Sequence, residues 1–209
     1  MTTRGIVRIF VFSVTALALA AGILIAAVLW FPRPEDTTDP AIFARDGASV
    51  DYCDLPTLTG DSVSADDIPK AYTPGCGWSV LPMPILAACT EPINGGAQDL
   101  RGLWQAHTGA VGHIERIEQC GNRVVITSGT IIHDMRADGT LRNGANDINP
   151  NGCFRIWASA QYLDGALVLH PLGQSFFTVT RRLEGDDELV WEYPSIGTTR
   201  MRRICTLPD

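Results

Sequence analysis

The chain has 209 residues, with 16 basic and 23 acidic side chains and a formal net charge of −7. Arg4 and Arg8 precede the first apolar run, and subtracting them leaves 14 basic against 23 acidic residues, a net charge of −9, for the chain beyond that run. Nucleic acid and anionic lipid headgroups are bound by basic surfaces, so this composition makes neither an expected partner.

The first element is an uninterrupted apolar segment, Ile9–Phe31, which contains no charged residue. As a helix it measures about 34 Å, enough to cross a hydrocarbon core of roughly 30 Å. Because Arg4 and Arg8 precede it, the positive-inside rule predicts that residues 1–8 are cytoplasmic and that the rest is exported. We therefore expect a single-pass protein of the cytoplasmic (inner) membrane with a periplasmic, extracytoplasmic C-terminal domain.

A cleaved signal peptide is the alternative reading of this segment. Ala18, Leu19 and Ala20 resemble a cleavage site that follows a short apolar core. Cleavage there would leave the apolar stretch Ile23–Phe31 at the new N-terminus. Retention instead places Trp30 at the outer membrane interface, where tryptophan is enriched. A retained anchor is the expectation.

Two less regular regions follow the apolar segment. Residues 32–51 are rich in Pro, Asp and Thr and read as a spacer. Residues 52–98 contain six prolines, which excludes long helices and central strands, and three of the cysteines. This extension can serve as a lid, cover a sheet edge or pack against the main domain.

From residue 99 to residue 209, short β-rich runs alternate with turn residues. The turn pairs are Gly121-Asn122, Asp138-Gly139, Asp164-Gly165 and Gly185-Asp186. They predict an all-β domain, an up-and-down antiparallel barrel of about 8 to 10 strands. The candidate strands are Leu103–His107, His113–Gln119, Arg123–Ser128, Thr130–Arg136, Thr140–Ile148, Cys153–Leu163, Ala166–His170, Ser175–Leu183, Glu188–Tyr193 and Thr199–Cys205.

The alternation within two strands indicates how the barrel is filled. In Glu188–Tyr193 the residues Leu189, Trp191 and Tyr193 share one face. In Cys153–Leu163 the face opposite the apolar one carries Trp157 among polar residues. Mixed faces of this kind leave room for a partly polar interior.

Six cysteines lie in the exported part of the chain. An even number in an oxidising compartment predicts disulfide bonds. A zinc site is not favoured, because no C-x-x-C pair is present, and we expect no bound metal. The cysteines are Cys53, Cys76, Cys89, Cys120, Cys153 and Cys205.

The first strand contains Gly102-Leu103-Trp104, and the last strand is rich in arginine. Together with the hairpin series, these residues resemble the lipocalin and fatty-acid-binding superfamily of small barrels. The resemblance implies that Trp104 packs against an arginine of the last strand and closes one end of the barrel. Arg200, Arg202 and Arg203 can supply this arginine, and we assign Gly102, Trp104 and Arg202 to this role.

The same resemblance implies a non-enzymatic protein without a cofactor that binds a small hydrophobic or amphipathic ligand. Candidate ligand-binding residues are Trp157, Arg181, Trp191 and Arg203. The arginines on the late strands are more simply explained as surface groups that cover aromatic neighbours. The alternative is an envelope structural or protein-interaction module with a filled barrel, and a third class is an enzyme that uses polar residues of the barrel interior. The sequence contains none of the nucleophile-elbow, zinc-protease or phosphate-loop motifs.

Counting hairpins predicts the disulfide pairing. Cys120 ends the second strand and Cys205 ends the tenth, so both belong at one end of the barrel, and we predict a Cys120–Cys205 bond. Cys153 opens the sixth strand at the opposite end and would pair with one of the extension cysteines. The remaining two would then pair with each other.

Overall fold

The computed structural model describes residues 15–23, 51–54, 81–86, 89–94, 96–129, 132–148, 155–195 and 197–206, with side chains described for all of these except 142–148 and 155–156. The chain divides into two units, Met1–Arg33 and Pro34–Asp209. Residues 15–23 of the first unit are helical. Among the described residues, no helix combines the length and apolarity needed to cross a membrane. The predicted span Ile9–Phe31 extends beyond the described residues at both ends, so the anchor stays a prediction.

The second unit contains ten antiparallel strands in a single sheet. The strands at the two ends of the sheet order, β4 and β5, also contact each other, so the sheet curls into a nearly closed barrel. The predicted all-β, up-and-down antiparallel barrel is confirmed. Its strands are β1 (Gly102–Thr108), β2 (Ile114–Cys120), β3 (Arg123–Ser128), β4 (Ile132–Arg136), β5 (Arg142–Ile148), β6 (Arg155–Leu163), β7 (Ala166–Pro171), β8 (Val179–Leu183), β9 (Glu188–Tyr193) and β10 (Gly197–Cys205).

Local sequence signals explain most strand boundaries. The hairpin between β6 and β7 turns on Asp164 and Gly165, whose φ angles are 51° and 81°. Positive φ at both central residues is the geometry that matches the twist of a two-residue hairpin. The predicted eighth strand began at Ser175, but β8 begins only at Val179, because residues 172–178 form a loop.

Side chains alternate between the barrel interior and its outer face. Along β9, Leu189 and Trp191 lie in the core and Tyr193 packs against it, as the alternation predicts. The core is continuous through the barrel and is formed by Leu100, Trp104, Ala106, Ile117, Val124, Ile126, Met135, Ala158, Ala160, Leu167, Leu169, Val179, Leu189, Trp191 and Met201.

The connections between strands define two ends of the barrel. Successive connections of an up-and-down barrel alternate between its ends. We call one end the mouth; the mouth connections that the structure describes in full are residues 109–113 and 172–178. We call the other the closed end; its connections are residues 121–122, 137–141, 164–165 and 184–187.

Trp104 fills the closed end. Its side chain is fully buried, and its indole N–H donates to the carbonyl oxygen of Leu100 at 2.9 Å. The guanidinium carbon of Arg203 lies 4.4 Å from the centroid of the indole. The arginine over Trp104 is therefore Arg203, which corrects the assignment of Arg202. Arg202 is exposed because neighbouring residues of β10 point to opposite faces.

Gly102 permits the close approach of β1 to β10 at the closed end. Its φ angle is 145°, and a Cβ atom placed on it would lie 2.8 Å from the carbonyl oxygen of Cys205. Any side chain here would therefore clash with backbone. The glycine is explained by strand packing beside the Trp104 and Arg203 pair.

The disulfide bonds differ from the predicted pairing. Cys53 is bonded to Cys205 and Cys89 to Cys120, with Cα separations of 6.1 and 5.9 Å. The predicted Cys120–Cys205 bond is wrong: both residues end their strands at the closed end, but β1 lies between β2 and β10. Two strand spacings of about 4.8 Å exceed the reach of a disulfide. The two observed bonds also exclude the prediction that Cys53 or Cys89 pairs with another cysteine of the extension or with Cys153. Cys76 and Cys153 lie outside the described residues.

The extension covers part of the outer face of the barrel. Arg116 and Glu118 point outward from β2, yet both are buried. The carboxylate of Glu118 accepts the backbone N–H groups of Ile85 and Leu86 at 2.8 and 2.6 Å, and Arg116 donates to the carbonyl oxygen of Pro82. Of the roles considered for the extension, this part packs against the main domain, and the Cys89–Cys120 bond holds it there.

Candidate functional site

A cavity of about 190 Å³ lies inside the barrel at the mouth. Its lining residues stand next to the mouth connections, at the ends of the strands. One wall is polar and comes from β2 to β4, and the other is mostly apolar and comes from β6 to β9. The lining comprises His113, Glu115, Ile126, Ser128, His133, Ala158, Leu169, Pro171, Val179, Arg181, Trp191 and Tyr193.

A buried ion pair spans this cavity. Glu115 of β2 is 1% exposed and Arg181 of β8 is 5% exposed. The guanidinium of Arg181 donates two parallel hydrogen bonds to the carboxylate, Nε to Oε1 at 2.8 Å and Nη2 to Oε2 at 2.9 Å. A bidentate pair fixes the orientation of both groups, and each compensates the buried charge of the other. The pair crosses the barrel interior, because β2 and β8 are not neighbours in the sheet.

The pair determines the ionisation of Glu115. Burial by itself raises the pKa of this carboxyl, but the charge and hydrogen bonds of Arg181, with a contribution from His113, lower the pKa well below its usual range. Glu115 is therefore a carboxylate at neutral pH. A carboxylate held in this way accepts hydrogen bonds and has no proton to donate to a ligand.

Aromatic rings form the other side of the site. The indole of Trp191 stacks on the ring of His113, with centroids 5.1 Å apart, and meets Tyr193 edge-on at 5.9 Å. The guanidinium carbon of Arg181 lies 5.2 Å from the centroid of the same indole. Trp191 thus contacts a cation and two aromatic rings, and these contacts favour one fixed ring position.

One polar atom of this site has no hydrogen-bond partner. Trp191 is 8% exposed, and its indole N–H is buried without an acceptor. A buried donor of this kind costs about 1 to 3 kcal/mol when it is left unpaired. Trp191 lines the cavity, so this unpaired donor belongs to a residue that a bound molecule would contact.

The structure brings together two of the four predicted ligand-binding residues. Arg181 and Trp191 line the cavity. Trp157 lies on the outer face, 48% exposed, as the alternation along β6 requires. Arg203 lies over Trp104 at the closed end and takes no part in the cavity. The predicted set therefore divides into a pair at the mouth and two residues elsewhere.

Glu115 and His113 were missed as site residues from the sequence. The available signal was the alternation along β2, which places Glu115 on the same face as Ile117. The partner Arg181 is 66 residues away, and no local pattern joins the two. His113 has no local sequence signal of a site residue, yet it lines the cavity and stacks on Trp191.

Within the described part of the chain, no group of three or more His, Cys, Asp or Glu side chains is arranged to hold a metal ion. The site is thus formed by one ion pair, two histidines, a serine and apolar or aromatic side chains.

The chain was compared with protein-family models and with curated proteins. No family model matches the chain, and no curated protein matches it.

Proposed function

We propose that the barrel binds a small amphipathic molecule, without catalysing its conversion, in the cavity at the mouth. The observation that carries this proposal is the unpaired indole N–H of Trp191, a residue that lines a cavity also containing a satisfied ion pair. The site therefore combines a hydrogen-bond donor that lacks an acceptor with a largely apolar wall.

The cavity volume limits the ligand. Drug-sized ligands occupy pockets of about 300 to 1,000 Å³, whereas an apolar cavity of about 150 Å³ can hold benzene. A cavity of about 190 Å³ therefore accommodates one ring with a small substituent. A long acyl chain is too large, so the ligand class is narrower than the lipocalin resemblance implies.

The polar side of the cavity determines the chemistry of the substituent. Glu115 is ionised and engages Arg181 through both oxygens, so the pair presents little net charge to a ligand. A carbonyl or ether oxygen can accept the indole N–H of Trp191 without disrupting this pair. The proposed ligand is thus a neutral single-ring molecule with one hydrogen-bond acceptor.

The proposed location is the outer side of the cytoplasmic membrane. The apolar segment Ile9–Phe31 and the arginines before it support retention as a single-pass anchor. The two disulfide bonds support an oxidising compartment. The protein would then sample small molecules outside the cytoplasm.

Acetophenone and ethylbenzene test the ligand class, since they differ chiefly in the carbonyl acceptor. Titration of the full chain, followed through the NMR signal of the Trp191 indole N–H, should show a shift with acetophenone and tighter binding than with ethylbenzene. Trp191→Phe should remove this preference while preserving the fold, with binding to this variant followed through the NMR signals of the two probe molecules. If neither probe binds to the wild-type protein, the binding proposal fails.

A second function, a structural or protein-interaction module, is favoured by the packing of the rest of the barrel. Trp104, Leu100 and Met135 are fully buried, and the cavity is smaller than the usual ligand pocket. In that case the cavity would hold only water. Native mass spectrometry of the purified chain distinguishes the two, because a bound small molecule adds mass and a water-filled barrel does not.

A further inference from the structure

The two ends of the barrel differ in charge. The two mouth connections that the structure describes in full, residues 109–113 and 172–178, contain no Asp, Glu, Lys or Arg. The four connections of the closed end contain five acidic residues and no basic one, namely Asp138, Asp164, Glu184, Asp186 and Asp187. In a chain with a net charge of −7, an end at which both of these connections are uncharged is a distinct surface.

Large apolar side chains are exposed at the same end. Val111, in the connection between β1 and β2, is 73% exposed. In the connection between β7 and β8, Leu172 is 60% and Phe176 83% exposed. Trp157 adjoins Leu172, whose backbone N–H donates to the Trp157 carbonyl oxygen at 2.6 Å. These four residues form an apolar rim around the mouth, and we refer to them as the mouth rim.

We propose that the mouth rim docks onto the surface of a lipid bilayer. Apolar and aromatic side chains gain free energy in the interfacial region of a membrane, where Trp and Phe are typical contacts. Transfer of a charged group toward lipid is costly, and the two fully described mouth connections contain none to transfer. The proposal goes beyond the binding function and draws on the proposed anchor, which keeps the barrel near a membrane.

Charge also sets the orientation of the docked barrel. Charged side chains are strongly hydrated, and burying them near lipid is costly whatever their sign. The closed end carries five acidic connection residues, of which Glu184 and Asp187 pair with Arg200 and Arg203, so it is directed toward water. The apolar rim and the charged opposite end thus favour the same orientation, with the mouth toward lipid.

The length of the chain permits this orientation. The chain between Phe31 and Cys53 has 21 residues, and Cys53 is bonded to Cys205 at the closed end. Fully extended, this segment reaches about 70 Å, whereas a nine-residue strand is about 30 Å long. Attachment at the closed end therefore does not prevent the mouth from facing the membrane. A ligand of low water solubility could then pass from lipid into the cavity.

Quenching of tryptophan fluorescence by brominated phosphatidylcholine tests the proposal in the full chain. The protein is reconstituted in phosphatidylcholine nanodiscs with and without the brominated lipid. Trp30 reports the proposed anchor and Trp157 reports docking, and each contribution is obtained from the difference between wild type and the Trp→Phe variant. We expect both tryptophans to be quenched.

Two substitutions at exposed positions provide the matched comparison. Phe176→Glu adds a charge to the mouth rim and should lower the quenching of Trp157 several-fold. Leu163→Glu adds the same charge at the closed end, where Leu163 is also exposed, and should leave the quenching of Trp157 unchanged.

The outcomes separate docking from anchoring. Quenching of Trp30 without quenching of Trp157 overturns the docking proposal and leaves the anchor in place. If neither tryptophan is quenched, both fail. If Trp157 is unquenched and the mouth connections become protected from hydrogen exchange with rising protein concentration, a second copy of the chain covers the rim and the lipid proposal is wrong.

Discussion

The closed end and the mouth of the barrel use a buried arginine in different ways. At the closed end, Arg203 covers Trp104, whose indole N–H already has an acceptor in Leu100. At the mouth, Arg181 contacts Trp191 with similar geometry, but this indole N–H has no acceptor. The same pair of residue types therefore leaves a different donor without a hydrogen-bond acceptor at each end: Nε of Arg203 at the closed end and the indole N–H of Trp191 at the mouth.

This difference follows from what fills the space around each indole. At the closed end, Leu100 precedes β1 and is fully buried against the core. At the mouth, a cavity of about 190 Å³ occupies the corresponding space. A filled end contributes to stability, whereas the unfilled end leaves space for the ligand that we propose.

The largest expected effect is the loss of packing at the closed end. Trp104→Ala should lower the free energy of unfolding by about 3 to 5 kcal/mol, because it removes a fully buried side chain from a well-packed core. Urea denaturation measures this change. Trp157→Ala is the matched control, since Trp157 is half exposed and should cost far less. Equal losses would contradict the division of roles between the two tryptophans.

Removal of Arg181 is the second test and addresses the mouth. Arg181→Leu leaves the carboxylate of Glu115 buried without its cation and should cost about 3 kcal/mol, near the lower end of the range, since the adjacent cavity can admit water. The double variant Glu115→Leu, Arg181→Leu should recover most of this loss, because no charge is stranded. Urea denaturation of the wild-type protein, the single variant and the double variant measures both changes in the free energy of unfolding. A double variant as unstable as the single one would show that the pair acts only through packing.

The pH dependence of stability is the third test. The pKa of Glu115 is lower in the folded protein, so its contribution is fully present above the unfolded pKa of about 4.3 and is lost as the pH falls toward the folded pKa. Each unit of pKa difference corresponds to about 1.4 kcal/mol. The unfolding free energy should therefore fall between about pH 5 and pH 2, and Glu115→Gln should flatten this fall.

An exposed carboxyl supplies the control for that experiment. The pKa of Glu184 is also lowered, by a hydrogen bond from Arg200, but its side chain lies in the exposed connection between β8 and β9. Solvent weakens such pairs, so Glu184→Gln should leave the slope almost unchanged. A larger effect for Glu184 than for Glu115 would locate the acid sensitivity at the closed end.

The sequence predicts the strands well because their signals are local. The bounds of β3 and β9 match the prediction, since alternation and turn residues both lie within a few positions. The late start of β8 was missed because Phe176 and Phe177 read as strand residues, although they belong to a mouth connection. The apolar residues of that connection could be assigned to the mouth only after the strand order showed at which end of the barrel the connection lies.

The site was predicted only in part because it depends on contacts across the barrel. Arg181 and Trp191 were identified individually, but Glu115 joins them only after β2 and β8 face each other across the barrel interior. The disulfide bonds show the same limit: the end of the barrel was predicted for Cys120 and Cys205, but the path of the extension was not. A non-local contact cannot be read from spacing alone.

The smallest expected effect concerns the choice between neighbouring arginines of β10. Arg203→Lys loses the planar stacking over Trp104 and should cost about 1 kcal/mol, while Arg202→Lys should stay within about 0.5 kcal/mol, because Arg202 is exposed. The two variants should differ because neighbouring residues of a strand point to opposite faces of the sheet, so a shift of one residue would exchange the buried and the exposed arginine. Thermal denaturation of both variants measures it. A larger loss for Arg202 would mean that the register of β10 against β1 is displaced by one residue, and the assignment of the closed end would have to change with it.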